Sequence, residues 1–263
     1  GGGIRGFYTA GVFEAFMEKG IMFPYIIGVS AGAANAISYI SGQPNRNRQV
    51  VENYVGKKRY VSKRNLIMHC SMFNMKYVFD TIPNKHIMLD WENFNHTNIR
   101  FLTGADGKTK WFEKQDITPS LEATIASCSI PIVSRIVKYK GLHLLDGGVS
   151  DPIPIEKSIR DGNQFHVIIL TRNEGYQKEA FKYKKLLKLF YREHPAVLNR
   201  HNIYQRQLAL CEKLEREGKA FIIRPKQPLK VGRTGSDVPA VLELYEEGHE
   251  EGKKITEQLL SIL

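Results

Sequence analysis

The sequence predicts an α/β protein, and three observations carry that reading. Two apolar runs bounded by turn residues, Pro24-Tyr25-Ile26-Ile27 and residues 165–170, have the length and β-branched or aromatic content of buried strands. Segments with apolar residues at helical spacing alternate with them. At the end of the first run stands Gly28-Val29-Ser30-Ala31-Gly32, a serine between glycines at a strand-to-helix corner. A chain of 263 residues with 42% hydrophobic content buries one sizeable core, with or without an appended piece.

The chain opens with Gly1-Gly2-Gly3-Ile4-Arg5-Gly6. Residues 7–19 follow, with Phe7, Ala10, Phe13, Phe16 and Met17 on one helical face before Gly20 ends the helix. A glycine loop that feeds a helix N-terminus presents several backbone N–H groups at the positive end of the dipole, which suits an anion or a developing oxyanion. Gly1, Gly3 and Gly6 also satisfy GxGxxG, the dinucleotide fingerprint. That reading wants an acidic residue about 20 positions on, at the end of the next strand. The place holds Gly28-Val29-Ser30 instead, a nucleophile where a ribose ligand belongs, so an oxyanion hole is the better reading. At such a corner the glycines let the chain turn tightly and lift the serine hydroxyl clear; the plain alternative is a Gly/Ser turn. Residues 33–40 continue as a helix.

Residues 43–65 are polar and basic, a solvated helix and loop or a face toward an anionic surface. Residues 66–83 mix Met68, Met72 and Met75 with Phe73, Tyr77 and Phe79, most simply core, alternatively a flexible wall for an acyl chain. Residues 99–103 and 108–112 flank Asp106-Gly107 as a hairpin, and Thr118-Pro119 caps a helix running through Ala126. After Ser129-Ile130-Pro131 a second hairpin spans 132–139 and 142–145, turned at Lys140-Gly141. It delivers Asp146-Gly147-Gly148, which reads as a turn or as a carboxylate held at the sheet edge near Ser30. A short helix precedes Asp161.

Four motifs in this order, the glycine loop, Gly28 to Gly32, Ser129-Ile130-Pro131 and Asp146-Gly147-Gly148, resemble the patatin-like phospholipase family over roughly residues 1–170. The resemblance implies a three-layer α/β/α fold and a lipid acyl hydrolase with a Ser-Asp dyad and no cofactor or metal. It implies Ser30 as nucleophile and Asp146 as base. It also implies that Gly1, Gly2, Gly3 and Arg5, with the N–H of Ala31, frame the oxyanion hole, while Gly28, Gly32, Gly147 and Gly148 serve the turns. Family members carry a strand ahead of the glycine loop; this chain starts at the loop itself, and residues before it are expected. On this reading residues 1–172 form the catalytic domain. Residues 173–263 form a mostly helical extension packed on it, similar to extensions in bacterial members.

Within that extension, residues 176–192 interleave Lys178, Lys182, Lys184, Lys185, Lys188 and Arg192 with Phe181, Leu186, Leu187, Leu189 and Phe190, a basic amphipathic helix. Such a helix packs on its own domain or lies on an anionic membrane. Residues 202–218 read as a second helix, 220–223 as a strand, and 238–263 as a long acidic helix that would neutralise the basic ones. The net charge of +11 favours anionic partners, while the absence of RNP, zinc-finger or P-loop patterns speaks against nucleic acid. Cys70, Cys128 and Cys211 are scattered without CxxC spacing, which suits a reducing, cytoplasmic compartment, and no apolar run approaches the length of a membrane span. The expected partner is a lipid or other acyl ester, with peripheral contact at an anionic membrane left open. Two alternatives stand beside this: a Ser-His-Asp esterase using His143, His166, His194, His201 or His249, and an anionic-lipid-binding protein whose serine is idle.

Overall fold

A computed structural model describes residues 1–105, 110–117, 120–180 and 184–261. In chain order the principal elements are α1 (Phe7–Glu18), β1 (Tyr25–Val29), α2 (Ala31–Ile40), β2 (Arg100–Ala105), β3 (Lys110–Glu113), α3 (Glu122–Ser127), β4 (Val137–Tyr139) and β5 (Leu142–Leu144). They continue with α4 (Ile155–Arg160), β6 (His166–Ile169), α5 (Lys184–Phe190), α6 (Ala196–Arg216), β7 (Ala220–Ile223) and α7 (Val238–Leu260). β1 runs parallel to β2, with Val29 opposite Gly104, and β3 adds antiparallel to β2. β4 and β5 form a hairpin, and β6 pairs in parallel with β7. Each parallel pair needs a long crossover, which carries α2 in the first case and α6 in the second.

The main core joins both ends of the chain. Tyr8 and Phe16 of α1, Tyr39 of α2 and Tyr245 of α7 are fully buried in it. α1 and α7 approach to backbone contact because small residues face each other. A Cβ on Gly248 would stand 2.0 Å from the Tyr8 carbonyl oxygen, and one on Gly11 equally close to that of Tyr245. The Tyr245 hydroxyl donates to buried Glu14 at 3.0 Å, whose carboxylate also accepts the Asn45 N–H at 2.8 Å. Among the described residues, acidic side chains of α7 pair with Arg48, Lys226, Lys230 and the helix's own Lys253 and Lys254.

Several elements differ from the sequence reading. Residues 176–180 are not helical: Gly175 turns the chain at φ +72°, and Tyr176 and Lys178 are then drawn onto a groove by Arg172 and Tyr204. Helix α5 is the part of the expected basic helix that forms, and residues 181–183 lie outside the described residues. Helix α6 starts earlier than expected, at Ala196, where Pro195 presets a helical φ of −62°. The helix expected from Thr118 begins at Glu122, since Leu121 has φ +52°; Thr118 and Pro119, like the Asp106-Gly107 turn, lie outside the described residues. The second hairpin is shorter than expected, because Ile132 at φ +75° breaks its first strand. Arg46, read as part of a solvated basic face, is buried and donates to the Ser38 hydroxyl and the Ile87 carbonyl, both at 2.9 Å. Burial lowers its pKa to about 10.

Among the described residues β1 pairs only with β2, and β6 only with β7. A groove of about 640 Å³ separates them, walled by residues 23–30 on one side and 165–172 on the other. None of Met68, Met72 and Met75 lines it.

The α1/α7 contact yields a test. In an open helix Gly248→Ala would stabilise by about 1 kcal/mol, but here the new methyl meets the Tyr8 carbonyl and the helices must part. We expect a net loss of about 1–3 kcal/mol in urea unfolding; a gain would show that the contact is loose.

Candidate active site

Ser30 leaves β1 and enters α2 with φ 54° and ψ −134°. A positive φ in a non-glycine residue stores on the order of 1–3 kcal/mol and persists only where surroundings over-determine it. Here the Ser30 N–H donates to the Ser127 hydroxyl at 2.8 Å, and that hydroxyl donates to the Gly104 carbonyl at 2.6 Å. Gly28 is required on the strand side, where a Cβ would stand 2.7 Å from the Ala33 nitrogen; Gly32 leaves space toward Gly1. A serine at a helix N-cap usually accepts a backbone N–H, yet this one makes no capping bond.

Strand register brings Asp146 alongside. Val29 lies opposite Gly104, and the next residue of β2, Ala105, bridges to Asp146, so Ser30 and Asp146 emerge from the same end of neighbouring chains. Both line the groove and both are buried, at 4% and 2% exposure. The Asp146 N–H donates to the Ser129 carbonyl at 2.9 Å, and its Oδ1 accepts the Gly148 N–H at 2.7 Å. Only glycine fits at position 147, because a Cβ there would stand 2.0 Å from the Gly104 carbonyl oxygen. A Cβ on Gly148 would crowd Asp146 Oδ1 at 2.9 Å and Arg200 Nη2 at 3.1 Å, which places the Arg200 guanidinium at this turn.

The glycine loop lies against the serine, since a Cβ on Gly1 would fall 2.9 Å from that of Ser30. The loop is held from three sides. Thr171 Oγ1 donates to the Gly1 carbonyl at 2.9 Å, the Ile4 N–H donates to the Arg233 carbonyl at 2.9 Å, and Asn35 Nδ2 donates to the Gly6 carbonyl at 2.7 Å. Gly3 adopts φ +61° with the Arg233 carbonyl 2.4 Å from where a Cβ would be. Among the described residues the N–H groups of Gly2, Gly3 and Ala31 have no acceptor in the protein. Arg5 is buried, and its Nε has no partner.

Sequence reasoning missed Ser127, Cys128, Thr171, Arg200 and Arg233. Ser127 and Cys128 adjoin the Ser129 motif, but the arginines and Thr171 carry no local pattern. Burial, reinforced by the Asp146 charge, pushes the Cys128 thiol well above its usual range, so it stays protonated. His166 lines the same groove as Ser30 and Asp146 but hydrogen-bonds Ser158 at 3.1 Å, while His143 is exposed near Glu193, His194 lies near His143 and Glu193, His201 lines a smaller hollow, and His249 lies 2.9 Å from Glu18. Among the described residues no histidine bonds Ser30 or Asp146, and no group of His, Cys, Asp or Glu is arranged to hold a metal.

A strand-to-helix serine, a glycine loop against it and a buried carboxylate at the adjacent strand end define a protein of the α/β acyl-hydrolase class. The sequence matches the patatin-like phospholipase family over residues 1–159 and a domain of unknown function, DUF6363, over residues 194–263. The chain therefore belongs to the patatin-like phospholipase family, an enzyme family of lipid acyl hydrolases with an α/β fold. It is 28% identical to the uncharacterized protein YjjU of Escherichia coli over 94% of its own length and 73% of that protein's. It is 25% identical to the uncharacterized protein YqhO of Bacillus subtilis, over 59% of the chain and 63% of the relative. It is also 25% identical to the mouse 1-acylglycerol-3-phosphate O-acyltransferase Pnpla3, over 59% of the chain and 39% of the relative.

Asp151, just beyond the carboxylate turn, anchors it to α6. Its carboxylate accepts from Gln207 Nε2, while Gln207 Oε1 accepts the Ile153 N–H at 2.9 Å. Burial raises the Asp151 pKa to about 6. The folded state thus holds a proton that the unfolded chain releases near 3.9, so stability falls as pH rises from about 4 to 6, by up to roughly 1.4 kcal/mol per unit. Asp151→Asn should abolish that component of the slope in denaturant unfolding at pH 4 to 7; an unchanged slope would exclude Asp151 as its source.

Proposed function

We propose that this protein hydrolyses acyl esters of lipids through a covalent acyl-serine intermediate, with Ser30 as nucleophile and Asp146 as its base. The observation that carries the reading is the strand register that sets Ser30 and Asp146 at one end of the sheet with the glycine loop packed on the serine. Asp146 accepts the Ser30 proton as the serine oxygen attacks the ester carbonyl. The carbonyl oxygen, now an anion, is met by the free N–H groups of Gly2, Gly3 and Ala31, the last at the positive end of α2. Collapse expels the alcohol, protonated by Asp146, and water then releases the acid by the same steps in reverse. The Asp146 carboxylate accepts the Gly148 N–H, which fixes one of its oxygens and supports its role as the base.

Substrate access points to a lipid surface. No described helix is long and apolar enough to cross a membrane. Three segments nevertheless expose large apolar side chains, Ile67 at 84% on a helix over Lys63–His69, Ile132, and Phe190 at the end of α5. These segments are joined: the Met72 N–H donates to the Val133 carbonyl at 2.8 Å and the Ile132 N–H to the Tyr191 hydroxyl at 2.7 Å. Lys63, Arg64, Lys188 and Arg192 flank them in sequence, a composition that seats on anionic lipid from the aqueous, cytoplasmic side.

Ser30→Ala and Asp146→Asn should each leave the fold intact and lower turnover of a soluble acyl ester by at least about a thousandfold. Single alanine substitutions at His143, His166, His194, His201 and His249 should leave it largely in place. A folded histidine variant as inactive as Ser30→Ala would establish a triad, and an active Ser30→Ala would end the covalent mechanism.

The lipid-facing segments are tested separately. Ile67→Asp combined with Phe190→Asp should reduce binding to phosphatidylglycerol vesicles while the soluble ester is still turned over. Equal vesicle binding in variant and wild type would place the membrane face elsewhere.

A further inference from the structure

Ile132 is held in a conformation that its own side chain opposes. It adopts φ +75°, and among the described non-glycine residues of positive φ it is the β-branched one, for which such a backbone is a strained outlier. Its side chain is 57% exposed, so packing offers little to impose that conformation. A hydrogen bond to the backbone does: the Ile132 N–H donates to the Tyr191 hydroxyl at 2.7 Å, from the segment that follows α5. The far side of the turn is pinned separately, by Met72 on the Val133 carbonyl at 2.8 Å and by the Ser71 and Ser134 hydroxyls, 3.0 Å apart.

The near side leads to the carboxylate. Ser129, three residues back, presents its carbonyl to the Asp146 N–H at 2.9 Å. Pro131 stands between, and because its ring fixes φ, a change of backbone at Ile132 is passed on toward Ile130 and Ser129. Ile130 itself lines the groove. Tyr191 reaches Asp146 from a second direction as well, since its side chain packs on the cluster of Leu145, Val149 and Val197, the first two of which bracket Asp146 in sequence. One side chain thus bears on two of the backbone segments that place the carboxylate.

We propose that Tyr191 is a positioning residue for acyl transfer: its hydroxyl keeps the run 129–133, and with it the Asp146 carboxylate, where Asp146 can take the Ser30 proton. The role rests on the reading of Asp146 as base. Without the hydroxyl, Ile132 relaxes toward negative φ, the Ser129 carbonyl shifts, and the Asp146 N–H loses its fixed acceptor. The loss falls on kcat, because the contact concerns the base and not the bound ester. Glycine at position 132 carries φ +75° without steric cost, so a turn built on it no longer depends on Tyr191.

A double-mutant cycle on an uncharged soluble ester tests this. Tyr191→Phe keeps the ring in its cluster and removes the hydroxyl; kcat should fall by about tenfold or more while KM stays within about twofold. In an Ile132→Gly background the same change should cost less than about threefold, a rescue that lost packing does not produce. Thermal melting verifies that all four proteins are folded. Equal kcat losses in both backgrounds, no loss in either, or a loss confined to KM overturns the proposal. Amide NMR on the same four proteins carrying Ser30→Ala reads the coupling without catalysis. Tyr191→Phe should displace the Asp146 amide resonance, and Ile132→Gly should reduce that displacement; an Asp146 resonance indifferent to Tyr191→Phe overturns the positioning. An active Asp146→Asn enzyme refutes the base instead, and with it the catalytic role of Tyr191, while the NMR cycle still reports whether Tyr191 places Asp146.

Discussion

Everything at the site depends on one close backbone approach, that of the Asp146-Gly147 turn onto the end of β2. Gly147 sits where any side chain would strike the Gly104 carbonyl, and Ala105 bridges to Asp146. Because Gly104 is also the residue opposite Val29, the same short stretch of β2 sets the height of both Ser30 and Asp146. Ser127 closes the arrangement by accepting from Ser30 and donating to Gly104. The strained conformation of Ser30 is thus held by buried hydrogen bonds rather than by its own propensity, which is how such strain persists in a folded protein.

The C-terminal region is built into this machinery. β7 pairs with β6, α7 packs its glycines on α1, and the Arg233 carbonyl takes the Ile4 N–H of the glycine loop. α6 reaches the carboxylate turn twice, through Gln207 to Asp151 and through Arg200 at Gly148. A perturbation of α6 or α7 is therefore transmitted to the glycine loop or to Asp146 through a single layer of contacts. This coupling also gathers Arg5, Arg172, Lys178, Arg200 and Arg233 on the groove, since they arrive on the glycine loop, after β6 and on the C-terminal segments.

How much of this was legible depended on the range of the interaction. The elbow at Ser30, the glycine loop and the Asp146 turn were readable because each is a local backbone problem that few residue types solve, and glycines at fixed offsets announce it. Gly147 and Gly3 proved to be glycines for a stronger reason than turn preference, namely a carbonyl oxygen from another segment occupying the space of a Cβ. Helix α1, strand β1 and helix α7 followed from periodicity. Residues 176–180 did not, because their basic and apolar alternation fits a helix, while Arg172 and Tyr204, distant in sequence, hold Tyr176 and Lys178 in another conformation.

By itself, then, the sequence determined the α/β class, the corner that carries the serine, the carboxylate turn and the family resemblance, since all of these reside in short windows of backbone geometry and hydrophobic period. The tertiary structure alone decided that Asp146 stands beside Ser30, that the glycines of α7 exist for α1, and that five cations scattered between Arg5 and Arg233 converge on one groove. The physical reason is that register and long-range packing are set by which surfaces exclude water together, a property of pairs of distant segments that no single stretch of the chain contains.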